Sequence, residues 1–144
     1  MGLDMYLKAK KFLWTEEREA VGKLLKSHFP GMEISEMQFD AMYWRKANAI
    51  HAWFVKNVQG GEDECNEFLV DRKDLQSLLD TVKKVLENNK LAGALLPTAS
   101  GFFFGNTDYD EWYFRDLEAT RKRFEELLTD PKWEKCDFYY HSSW

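Results

Sequence analysis

The residues of this 144-residue chain that could do chemistry gather in three stretches. The first runs Tyr43-Trp44-Arg45-Lys46-Ala47-Asn48-Ala49-Ile50-His51-Ala52-Trp53-Phe54. Read as a helix at about 100° per residue, it puts Trp44, Asn48, His51 and Val55 on one face. His51 is then placed to act as a base or a ligand contact, with Asn48 orienting a substrate. The competing reading is a buried, hydrogen-bonded pair that fixes the helix against a sheet. Arg45 and Lys46 offer contacts for an anion, or a solvated pair. The second stretch, Gly101-Phe102-Phe103-Phe104-Gly105-Asn106-Thr107-Asp108-Tyr109-Asp110-Glu111-Trp112-Tyr113, reads as an aromatic strand that stops at a glycine before a capped helix. Its glycines, the free N–H groups of a helix start and the rings of Phe103, Tyr109, Trp112 and Tyr113 could together line a pocket. Asp108, Asp110 and Glu111 suit capping better than acid/base or metal chemistry, and Asp116 is a weaker candidate further inside the helix. The third stretch is Tyr139-Tyr140-His141-Ser142-Ser143-Trp144, where His141 and Ser142 could approach the second.

Several chemistries lack their spacing. No nucleophile-elbow pattern surrounds a serine. His51, His141, Cys65 and Cys136 do not show metal-ligand spacing. Gly60-Gly61 leads into Glu62-Asp63-Glu64, which would repel phosphate, and no Lys-Ser/Thr follows. No catalytic residue, metal ligand or cofactor is therefore assigned. A small hydrolase using His51 or His141 with Asp110 or Glu111 stands as an alternative.

The elements that must position these residues follow from periodicity. Leu3, Met5, Leu7 and Ala9 alternate as a half-buried strand, and Thr15 caps a helix carrying Ala20, Val21, Leu24 and Leu25. A strand at Met37 to Arg45 turns Met37, Phe39, Ala41 and Tyr43 one way and Gln38 and Asp40 the other. A helix over Lys46 to Val58 presents Ala47, Ile50, Phe54 and Val58, leaving Trp53 nearly opposite and in need of cover. Glu67 to Val70 is a short strand, and Asp71 caps a helix with Leu75, Leu78, Leu79, Val82, Val85 and Leu86 inward. A strand at Phe102 to Phe104 precedes a helix that begins at Asp108, with Glu111 at N3 and with Tyr109, Trp112, Tyr113, Leu117, Phe124, Leu127 and Leu128 inward. Cys136 to Ser142 is a last strand burying Cys136, Phe138 and Tyr140.

Half-buried alternation, in place of continuous apolar runs, predicts an α+β fold. The expectation is a single domain over residues 1–144, with a mostly antiparallel sheet of about five strands and about four helices packed mainly on one face. The outward strand faces carry Tyr6, Lys8, Gln38, Asp40, Tyr139 and His141, a surface that suits either a partner or solvent. Net charge is −5 and no Lys/Arg stripe is present, which disfavours duplex nucleic acid. No apolar run reaches membrane-spanning length and nothing resembles a signal peptide, so the chain reads as soluble and cytoplasmic, with free, buried thiols. Aromatic residues make up 16%, more than a small core readily hides, so some are expected at a pocket or an interface.

The opening Met1-Gly2-Leu3-Asp4-Met5-Tyr6-Leu7, the Tyr43 to Asn48 stretch with His51 and Trp53, and Leu95-Leu96-Pro97 through Tyr113 resemble small proteins of tailed bacteriophages and prophages over the whole chain. The resemblance implies an accessory protein in the bacterial host cytoplasm, aimed at host metabolism or defence, and it favours binding over catalysis. The expected function is non-enzymatic binding of a small polar or nucleotide-like ligand by Trp44, Arg45, Asn48, His51, Phe103, Tyr109, Trp112, Tyr113 and His141. A protein-interaction module, as a homodimer or on a host protein, is the alternative.

Overall fold

The computed structural model describes residues 2–144. Strands β1 (Asp4–Phe12), β2 (Glu36–Arg45), β3 (Phe68–Val70) and β4 (Asp137–Ser143) form one antiparallel sheet in the order β2-β1-β4-β3. Helices α1 (Thr15–Leu25), α2 (Asn48–Asn57), α3 (Arg72–Glu87), α4 (Ala92–Leu95) and α5 (Glu111–Thr129) complete an α+β fold. The expected counts are each off by one. The additional helix is the four-residue α4. The expected fifth strand is a turn: Phe104 N–H donates to Gly101 C=O, and the segment's tie to the sheet is Leu3 N–H donating to Phe103 C=O.

The core lies between one sheet face and the helices. Leu3, Met5, Leu7 and Ala9 are fully buried on that face, and Phe138 and Tyr140 join them from β4. Leu75, Leu78, Leu79, Val82 and Val85 of α3, and Leu117, Phe124 and Leu127 of α5, close over them. Burying each such side chain contributes about 1.5–3 kcal/mol. Phe54 of α2 stacks on Tyr140, with ring centroids 4.0 Å apart. Trp53 is partly covered by this same core.

A bulge corrects the reading of β2. Leu7 pairs with Met42 but Lys8 pairs with Asp40, so Ala41 is the extra residue. One inserted residue reverses the facing of everything after it. Tyr43 consequently points to solvent, whereas Trp44, expected on a helix, is a buried strand residue whose Nε1 donates to Thr120 Oγ1 at 2.7 Å. The bulged Ala41 carbonyl is met by Arg123 Nε from α5.

Helix ends shift as well. The last helix starts at Glu111, and its cap is Asp110, not Asp108: the Asp110 carboxylate accepts Tyr113 N–H at 3.0 Å. This register turns Trp112 outward at 66% exposure and leaves Tyr109 exposed, while Tyr113 stays buried. The first helix takes Trp14 as its N-cap position in place of Thr15 and buries none of its residues. Cys65 is exposed rather than buried, and both cysteines are free. No helix among the described residues is long and apolar enough to cross a membrane.

Candidate functional site

The chain leaves β2 through Lys46, whose φ of 59° is a left-handed conformation that a non-glycine residue adopts at a cost. This sharp turn aims the start of α2 into a cleft of about 260 Å³, just below the usual range of ligand pockets. Residues Arg45 to Ile50 form one wall. Thr98, Gly105, Asn106 and Asp108 form the rim, and Trp112, Tyr113 and Asp116 of α5 form the facing wall.

Two observations define what the cleft can hold. The first concerns α2. Its N-cap is Ala47, which has no side-chain cap to offer, and the Ala49 and Ile50 N–H groups find no backbone acceptor among the described residues. Ala49 and Ile50 are both buried. Free N–H groups and the positive end of the helix dipole favour an anion. Neighbouring Arg45 and Lys46 bring two cations with no ion-pair partner among the described residues, across the cleft from the carboxyls of Asp108 and Asp116. The second concerns α5. Burial pushes the Asp116 carboxyl up to about 6, against a smaller opposing pull from Arg115, and its side chain has no hydrogen-bond donor among the described residues. Such a carboxyl is matched by a ligand N–H or O–H. Beside it the Trp112 ring carries the Arg115 guanidinium 4.7 Å from its centroid.

The glycines of the rim serve close approach. A Cβ on Gly101 would sit 2.6 Å from the Phe104 ring, so only glycine lets that ring pack down. Gly105 has a φ of 83°, and the Lys46 stem lies against it.

Of the residues expected at a site, Arg45, Asn48, Trp112 and Tyr113 converge on this cleft. Asn48 works on the loop: its Nδ2 donates to the Phe104 and Asn106 carbonyls, and its Oδ1 accepts Ala99 N–H. With every polar atom of its side chain engaged, it positions the rim. Tyr113 donates its buried O–H to the Leu96 carbonyl at 2.8 Å, and burial raises its pKa further above neutrality. Tyr109 packs edge-on to Tyr113 and Phe103 lies at the turn, both outside the cleft lining.

Trp44, His51 and His141 do not converge with them. Trp44 is core. His51 is buried with both ring nitrogens engaged: Nδ1 lies 2.7 Å from the Tyr140 hydroxyl and Nε2 3.1 Å from Asp63 Oδ2. Burial holds Tyr140 protonated, and its hydroxyl and the Asp63 carboxylate bracket the imidazole from either side. Trp144 Nε1 donates to the other Asp63 oxygen at 3.3 Å. His141 lies on the outer sheet face, stacked on Tyr6 at 4.7 Å, and burial lowers its basicity. That face answers its own charges, with Lys8 paired to Asp40 and Lys10 to Glu67.

Sequence reasoning overlooked the start of α2. Its signal was an omission: no Ser, Thr or Asp precedes Asn48, so the helix begins without a cap. The amides expected near Asp108 belong to α5, where Asp110 occupies them. Among the described residues no three His, Cys, Asp or Glu side chains gather to hold a metal ion. No protein-family model, curated protein or solved structure matches the chain.

Proposed function

We propose that this chain is a non-enzymatic binding protein for a small anionic, nucleotide-like ligand, acting as a phage-type accessory factor on host metabolism or defence. The observation that carries the reading is the uncapped, buried α2 N-terminus opening on a cleft beside Arg45 and Lys46. A phosphate-like group sits at the Ala49 and Ile50 amides, where dipole and cations act together. A planar ring lies against Trp112, and its N–H edge donates to Asp116. Stacking of a base on an aromatic side chain contributes about 1–3 kcal/mol.

Isothermal titration against nucleoside mono- and diphosphates, with nucleosides and inorganic phosphate as separate arms, tests this. Nucleotides bind best, nucleosides lose the amide site and phosphate loses the ring site. Arg45→Ala and Trp112→Ala each weaken nucleotide binding about tenfold, equivalent to about 1.4 kcal/mol. Absence of binding, or binding indifferent to both substitutions, overturns the proposal.

A further inference from the structure

The amide and hydroxyl side chains that line the cleft are already engaged. Asn48 holds the rim, Thr98 Oγ1 donates to the Thr107 carbonyl and Tyr113 donates to the Leu96 carbonyl. Asn106 is used on both sides, its Nδ2 donating to Asp110 and its Oδ1 accepting Asp108 N–H. The charged ones are not engaged: Arg45, Lys46, Asp108 and Asp116 have no ion-pair partner among the described residues. The two cations suit an anionic group. Of the two carboxyls, Asp108 is exposed at the rim, where water solvates it. Asp116 is half-buried in the wall, partly removed from water with no donor in exchange.

Asp116 lies one turn of α5 beyond Trp112. At 100° and 1.5 Å per residue the two are about 40° apart around the helix and about 6 Å apart along it. A planar base against the Trp112 ring therefore turns one edge toward the Asp116 carboxylate. Arg115 sits over that ring and makes no ion pair with Asp116. An ionised carboxylate has two acceptor oxygens and no donor. Two parallel N–H groups meet it best, in a fork that adds selectivity to strength. Among the bases of RNA only guanine carries two adjacent donors on one edge, N1–H and the N2 amino group. Adenine and cytosine set an amino group beside a ring acceptor, and uracil sets one N–H between two carbonyls. Each of those edges brings a lone pair against the carboxylate, so the edge facing Asp116 decides which base is accepted.

Resting on the nucleotide reading of this cleft, we propose that Asp116 selects guanine, its two carboxylate oxygens accepting the N1–H and N2–H donors. Titration calorimetry at about pH 8, where Asp116 is ionised, finds guanosine monophosphate bound tightest. Inosine monophosphate, which lacks the amino group, binds about tenfold weaker, and adenosine monophosphate about a hundredfold weaker. Asp116→Asn exchanges one acceptor for an amide donor. The variant loses about a hundredfold for guanosine monophosphate and prefers xanthosine monophosphate, which has a carbonyl in place of the amino group. A purely structural role for Asp116 predicts no such exchange of preference. Inosine or adenosine monophosphate bound by wild type as tightly as guanosine monophosphate overturns the selectivity and leaves the nucleotide reading standing. A guanine preference that survives Asp116→Asn equally overturns the assignment to Asp116. Absence of binding by every nucleotide overturns both.

Discussion

His51 and Asp116 are both titratable groups drawn away from water, yet their surroundings differ in kind. Around His51 the groups answer one another in a chain from Trp144 through Asp63 and the imidazole to Tyr140. Around Asp116 they do not: the carboxyl, the Arg45 and Lys46 cations and the amides of Ala49 and Ile50 face a cleft without partners of their own. A satisfied polar cluster is architecture, because its hydrogen-bonding capacity is used up in folding. An unsatisfied one retains capacity for something else. Residue type misleads here, since histidine looks the more chemical of the two.

The strongest way to break the contrast is His51→Leu, which leaves the buried Tyr140 hydroxyl and Asp63 without their partner. Urea denaturation is expected to show a loss of about 2–4 kcal/mol, with nucleotide affinity intact in the folded fraction. Lost affinity at unchanged stability would reverse the assignment of roles.

Asn48→Ala tests the join between the regions, because Asn48 belongs to the satisfied class but holds the cleft rim. It should lower stability by about 1–3 kcal/mol and also weaken ligand binding. Ala47→Asp addresses the open amides directly, by supplying the missing cap. Calorimetry is expected to find binding about tenfold weaker, while stability holds or rises by up to about 1 kcal/mol. Undiminished affinity would remove the amides from the site.

Asp116→Asn has the smallest effect on stability. The folded carboxyl titrates near 6 against an ordinary 3.8, so between these values the native state holds the proton more tightly than the unfolded chain. Its contribution to stability is therefore highest at acid pH, falls as pH rises from about 4 to 6, and is flat above. The amide variant flattens that fall and gains about 1 kcal/mol near neutrality, after discounting for the water that reaches a half-buried group. A pH–stability profile identical to wild type would mean that Asp116 is solvated.

The helices with clean 3.6 periodicity were legible, as were the strands with unbroken alternation. Leu75 to Val85 and Leu3 to Ala9 face where their spacing predicts. Misreadings fell where a local event overrode the pattern. The bulge at Ala41 exchanged the facings of Tyr43 and Trp44, and no sequence period announces one inserted residue. Phe102 to Phe104 has strand-like composition, but its glycines close a turn, and Phe102 is 95% exposed. Arg45 and Trp112, singled out for their chemistry, both line the cleft. The amides of α2 were not singled out, because a backbone donor has no letter in the sequence and is noticed only when its cap is missing.

The central position of β1 also sets a timetable for folding. Residues 4–12 pair on one side with residues 36–45, nearby along the chain, and on the other with residues 137–143. Closing the first pair constrains the connection that carries α1, whereas closing the second fixes nearly the entire chain. Such distant pairing slows folding, and until it is made the flank of β1 that β4 will occupy stays unpaired. Pairing of β1 with β2 therefore closes the shorter loop, and arrival of β4 is what joins the two ends of the chain in one sheet.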